Sequence, residues 1–285
     1  MPPIAALLLP LWSLLPIISA SVPMLAGFSV VWSDDFQGDH YAGVDTAKWN
    51  QFVGRSDNNA ELEFYTPRTN NVHLSGDGQV YIVPTLSNGT WYSARLESVA
   101  SQACDEGRAM VFQASLWVPD LTGSPPEFAG LWPAFWALGN DLRTDGVLWP
   151  ECGEWDIFEA TNKLGDMNQG TLHFQNADGS HNDSFHGRTV YTTGQYHTWA
   201  LEVDRRSSDW TKQAVTWYLD DTAFYTVTGA QIGGFQEWTQ LADRPYYIIL
   251  NMAIGGDYPG DPTSQTLSGF DASMRVEYVA IYKSD

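Results

Sequence analysis

Alternation with a period of two recurs along this chain and constrains the fold more than any other feature. Trp199, Leu201 and Val203 would face one way, with Glu202 and Asp204 facing the other. The pattern returns at Val215, Trp217 and Leu219, and again at Val276, Tyr278, Ala280 and Tyr282. Side chains that alternate between two faces belong to extended strands, so each run buries one face. Further strand-like runs occupy residues 28–36, 108–118, 132–138, 153–160 and 170–175, with short ones at 79–83 and 92–98 bounded by Asn, Gly and Ser. Only residues 236–241 read as helical. Many strands without helical interludes predict antiparallel sheets packed as a sandwich or barrel. With 13 Trp, 13 Tyr and 13 Phe against 25 Gly and 15 Pro, the 285 residues fit an aromatic core joined by many turns. No repeat of fixed period and no low-complexity linker divides the chain. A single all-β domain is expected.

Within residues 152–159 three acids fall among Trp155, Ile157 and Phe158. Aromatic and β-branched neighbours favour a strand. On it Glu154 and Asp156 share one face, and Trp155 and Ile157 turn toward apolar packing. Glu159, five residues after Glu154, would land on the wrong face of a regular strand. One extra residue near Ile157 and Phe158, a β-bulge, brings it back. Three carboxylates in a row cost stability, because each raises its neighbour's pKa. A working pair tuned by a third acid suits glycoside hydrolysis. A solvated strand face or a calcium site fits the spacing equally well.

Trp132 and Trp136, four apart, share a strand face at a separation of roughly 13 Å. Indoles so placed suit stacking on sugar rings, and equally suit core packing. His173 ends the next strand-like run, as a structural or a catalytic group. His181 and His186 lie in a polar loop and read as solvated. The chain has no G-x-S-x-G elbow, no H-E-x-x-H pair, no phosphate-binding glycine loop and no Cys/His metal spacing.

The formal net charge is −20, and no Lys/Arg-rich run interrupts it. Nucleic acid, anionic membranes and sulfated polysaccharides are therefore disfavoured as partners, which leaves a neutral substrate. Residues 1–20 read as a secretory signal, almost wholly apolar over 5–9 and 11–20 and ending in small residues, without a basic residue beyond the amino terminus. No other stretch is long enough to span a bilayer. Residues 21–285 are thus expected as one soluble, secreted, monomeric domain. Sequons at Asn88 and Asn182 agree with that route. Cys104 and Cys152 are the two cysteines, and either a disulfide or buried thiols would fit.

The E-x-D-x-x-E pattern of Glu154, Asp156 and Glu159 resembles the active-site motif of glycoside hydrolase family 16, in its bulged, laminarinase-like form. Other landmarks of that family occur in order at residues 31–36, 59–66, 93–96, 132–138, 171–173, 247–256 and 276–282. The resemblance implies a β-jelly-roll sandwich of two antiparallel sheets with a concave substrate cleft. It also implies Glu154 as nucleophile and Glu159 as general acid/base with Asp156 between them, in a retaining reaction whose carboxyl groups stand ~5–5.5 Å apart. Asn59, Arg95, Trp132, Trp136 and His173 match cleft-lining positions, and Trp238 matches a cleft tryptophan more loosely. Asp35 and Glu277 lie where some members bind calcium; no metal and no cofactor is expected to be required. A neutral β-linked polysaccharide is the implied partner, with 1,3-β-glucan or 1,3(4)-β-glucan leading and 1,3-β-galactan as the alternative. A wall-remodelling transglycosylase and a non-catalytic β-glucan-binding protein are the competing readings. Retention of all three acids favours the enzyme.

Overall fold

The alternating runs pair into two eight-stranded antiparallel sheets in a computed structural model that describes residues 21–56 and 58–285. The expected signal, residues 1–20, lies outside the described residues. The back sheet runs in the order Thr222–Thr228, Ala214–Leu219, Tyr196–Asp204, Ala109–Trp117, Met274–Ser284, Val80–Ile82 and Val72–Leu74, with Phe28–Asp34 also paired to Met274–Ser284. The front sheet runs His181–Asn182, Met167–Gln175, Glu154–Glu159, Leu131–Gly139, Tyr246–Ile254, Arg95–Ser98 and Trp49–Gln51. His186–Val190 pairs with Met167–Gln175. Leu131–Gly139 and Tyr246–Ile254 are distant in sequence yet adjacent in the sheet, in register from Leu131–Ile254 to Gly139–Tyr246. The expected two-sheet jelly roll is the architecture found.

The inward faces meet in one apolar cluster that includes Phe112, Leu116, Phe135, Trp155, Ile157, Leu172, Leu201, Trp217, Leu250 and Ile281. Trp155 anchors it. Its ring stacks on Tyr246 at 3.6 Å and meets Phe112 edge-on at 5.4 Å. Its Nε1 donates to the Leu241 carbonyl at 3.0 Å, so the one polar atom of a buried indole is satisfied. Leu241 lies on the helix Phe235–Ala242, which takes in the expected 236–241 segment and buries Trp238, Gln240, Leu241 and Ala242. Gln240 takes the inner side of Gln175, beyond the start of Glu154–Glu159, accepting from the Gln175 N–H at 2.9 Å and donating to the Gln175 carbonyl at 3.0 Å. A side-chain amide stands there in place of a neighbouring strand. Cys104 and Cys152 are both buried and free, and burial pushes each thiol up to about 12. Glu277, on the last strand, accepts a hydrogen bond from Ser115 Oγ at 2.6 Å.

Candidate active site

Glu154–Glu159 carries the bulge that the acid spacing predicts. Its pairing with the neighbouring strand steps from Phe135–Phe158 to Trp136–Asp156, leaving Ile157 as the extra residue. On the other side only Glu154, Trp155 and Asp156 pair regularly, with His173, Leu172 and Thr171. Past that point Asn168, fully buried, replaces the ladder. Its Oδ1 accepts from the Glu159 N–H at 2.8 Å and its Nδ2 donates to the Ile157 carbonyl at 3.3 Å. Trp217 Nε1 donates to the Asp156 carbonyl at 2.8 Å. The bulge therefore leaves these backbone groups satisfied, which lets it hold a fixed shape. Just before the strand, Gly153 adopts φ +80°, and a Cβ there would stand 2.1 Å from Tyr246 Oη. Only glycine fits that entry into Glu154.

The three acids line a cleft of about 710 Å³ with Asn59, Glu61, Arg95, Trp132, Trp136 and Trp149. Glu154 accepts from Trp149 Nε1 at 3.0 Å, and Glu159 from Trp132 Nε1 at 3.0 Å. His173 Nε2 lies 2.8 Å from Asp156 Oδ2 and 3.7 Å from Glu154 Oε1. Ligand atoms of Glu154, Asp156 and His173 fall within 4.8 Å of one another. Hydrogen bonding accounts for that spacing, since an indole N–H meets Glu154 and an imidazole meets Asp156, and no metal is assigned to them.

Trp136 is half-buried, and its Nε1 donates to Asn251 Oδ1 at 2.7 Å. Asn251 Nδ2 in turn donates to Tyr65 Oη, which donates to Glu61 at 3.3 Å. Arg95 lies over the Trp136 ring at 4.8 Å and is held by Glu97, which also binds Arg143. Asn59 reaches the cleft from a loop anchored by Glu63, whose carboxylate accepts the Ile254 N–H at 2.7 Å. Asn59, Arg95, Trp132, Trp136 and the three acids thus converge on one cleft, whereas His173 is not among its lining residues and meets the site through Asp156.

Two expectations are corrected. Trp238 is not in the cleft: it is 1% exposed, packs in the core, and donates to Gln213 Oε1 at 2.8 Å. It sits on the docked face of its helix, where a large apolar ring belongs. Trp149 supplies the cleft's third indole. His181 is not simply solvated: its Nε2 lies 2.8 Å from His173 Nδ1, and its ring packs on Trp149 at 4.5 Å. The signal available in sequence was a turn, Asn176 to Gly179, that folds residue 181 back beside the strand of His173.

Burial and mutual repulsion set the charge state. Desolvation pushes Glu154 up to about 8, with Asp156 adding to the effect. Desolvation likewise takes Asp156 up to about 7. Glu159 is raised well above the ordinary carboxylate range, by burial first and Asp156 second. Three carboxylates in one desolvated cluster cannot all be charged. Glu159 keeps its proton, and Glu154 and Asp156 titrate as a pair. The cleft can therefore present a proton donor and a carboxylate nucleophile together.

A β-sandwich whose cleft sets clustered carboxylates among half-buried indoles defines a carbohydrate-active protein. A family model described as "XgeA-like, catalytic GH16 domain" matches residues 93–240. The crystal structure of an endo-1,3-beta-glucanase from Streptomyces sioyaensis superposes with a TM-score of 0.83 at 30% identity, over 93% of this chain and 100% of that one. Glucan endo-1,3-beta-glucosidase A1 of Niallia circulans is 32% identical over 92% of this chain, which spans only 39% of that protein's length. Beta-glucanase of Rhodothermus marinus is 27% identical, over 90% of this chain and 85% of that protein. The chain belongs to glycoside hydrolase family 16.

Proposed function

We propose that the protein is a secreted, monomeric, endo-acting hydrolase of 1,3-β-glucan or 1,3(4)-β-glucan that works with retention through a covalent glycosyl-enzyme intermediate. The observation that carries this reading is the bulged strand with Glu154, Asp156 and Glu159 on its cleft face, Glu159 held protonated by its surroundings. The names of the relatives, an endo-1,3-beta-glucanase and a glucan endo-1,3-beta-glucosidase, support the substrate class.

Glu159 gives its proton to the leaving glycosidic oxygen while the Glu154 carboxylate attacks the anomeric carbon. For attack the shared proton must pass from Glu154, which holds it more tightly, to its neighbour Asp156, leaving Glu154 charged, and Trp149 holds one oxygen of the nucleophile in place. In the second half Glu159, now a base, removes a proton from water as that water displaces Glu154.

Reducing-end release from laminarin, assayed with wild type and Glu154→Gln side by side, tests the reading. The variant should lose on the order of 10⁴-fold in kcat, and NMR of the first product should show the β-anomer. A folded wild type inert on laminarin but active on a 1,3-β-galactan would move the substrate assignment. Equal activity in Glu154→Gln would end the mechanism.

A further inference from the structure

The hairpin that carries His181 is built to hold it still. Gln175 pairs with His181 and Phe174 with Asn182 across the turn. Asn182 Nδ2 donates to Asn176 Oδ1 at 2.9 Å, and Asn176 Nδ2 donates to Ser180 Oγ at 3.0 Å. His181 and His173 lie nearly parallel, 19° apart with centroids at 5.1 Å, so Nε2 of one meets Nδ1 of the other at 2.8 Å.

A neutral imidazole has one donor and one acceptor nitrogen, and a charged one has two donors. When Asp156 is ionised, His173 donates to it from Nε2. When Asp156 is protonated, the carboxyl donates to Nε2 and His173 must donate onward from Nδ1. His181, exposed to solvent, can supply either complement. The reaction requires both states. Attack by Glu154 converts its charge to an ester, which removes the like charge beside Asp156 and lowers its proton affinity; hydrolysis restores it.

We propose that His181 is a positioning residue of the reaction, holding the His173 ring with Nε2 on Asp156 and completing its hydrogen bonds in both protonation states. One proton moves from Asp156 to His173 Nε2 as another moves from His173 Nδ1 to His181 Nε2, so charge balances along the chain. Partial burial and the neighbouring His173 push His181 down, which keeps it available as an acceptor. The other titratable or charged groups facing this chain are Glu154, Glu159, Asp183, Tyr258 and Arg188, and none is altered in the test.

The inference rests on the hydrolase reading. His181→Phe keeps a ring on Trp149 but removes the nitrogen; His181→Gln restores a group that can donate or accept. In His181→Phe, kcat should fall about tenfold with KM within about twofold, and the acid limb of kcat/KM should move to higher pH, because of the two states that lose support the ionised Asp156, with its charge-assisted hydrogen bond, loses more. His181→Gln should recover to within about threefold of wild type. A His181→Phe profile that overlays wild type overturns the inference, as does an equal loss in both variants with no change of profile. NMR of ¹⁵N-histidine-labelled protein gives a readout that needs no turnover. The proton shared by the two rings should give a slowly exchanging imidazole N–H resonance in wild type that vanishes in His181→Phe. Absence of that resonance in wild type overturns the inference. Its presence in a wild type without activity would instead remove the hydrolase reading.

Discussion

Glu154 occupies a place that suits chemistry and costs stability. Its folded value of about 8 lies above the roughly 4.3 of an unfolded glutamate. Between those values the folded state binds more protons than the unfolded one, so stability falls as pH rises through that window. Replacing the acid with a neutral isostere removes that dependence. Glu154→Gln should therefore melt at a higher temperature than wild type near pH 8, by on the order of 2 kcal/mol of stability. At about pH 4, where both states carry the proton, the gap should close. Calorimetry at the two pH values checks this, and equal melting temperatures at both would mean the acid is not held protonated by burial. The same residue that gains stability as Gln should lose turnover, which separates a catalytic carboxylate from a structural one.

At the scale of the element, the acid strand shows what sequence could and could not disclose. The bulge was legible because Glu159 sits an odd number of residues from Glu154, and only an inserted residue reconciles their faces. What stabilises the bulge was not legible. Asn168 is an ordinary polar residue in the sequence, and its two hydrogen bonds exist only once the next strand lies alongside. Trp238 failed for a related reason: an indole in a short amphipathic helix and an indole on a cleft rim have the same composition, and only docking separates them. Trp149 lies in a loop with no periodicity to read, so nothing in the sequence places it in the cleft. Asn168→Leu should strand the Glu159 N–H and the Ile157 carbonyl in an apolar setting, at about 2–4 kcal/mol. Urea denaturation should show the midpoint falling with the slope unchanged. Activity should drop further than the folded fraction does, since Glu159 loses its register. A variant that keeps full activity and stability would mean that the bulge holds without Asn168.

Across the whole molecule, the order of strands was beyond reach of local pattern, because Leu131–Gly139 and Tyr246–Ile254 meet across more than a third of the chain. Alternation identified the strands, and the jelly-roll topology came from resemblance. Net charge, by contrast, is a whole-chain property readable at once, and it bears on substrate choice. At −20 for the chain, with Glu61 and the single charge left to the Glu154–Asp156 pair inside the cleft, the field around the site is negative. Arg95, the basic residue lining that cleft, is bound to Glu97, so its charge is already met. A neutral glucan approaches such a site without an electrostatic barrier, whereas a carboxymethylated one must work against it. Salt screens that repulsion, with a Debye length falling from about 30 Å at 0.01 M to about 3 Å at 1 M. On laminarin, kcat/KM should change less than about twofold over that range, because screening has nothing to remove. On carboxymethylated 1,3-β-glucan it should begin low and rise about tenfold or more as salt is added. Equal salt responses for the two polymers would mean that the cleft, despite its acids, presents no net negative field to the chain it binds.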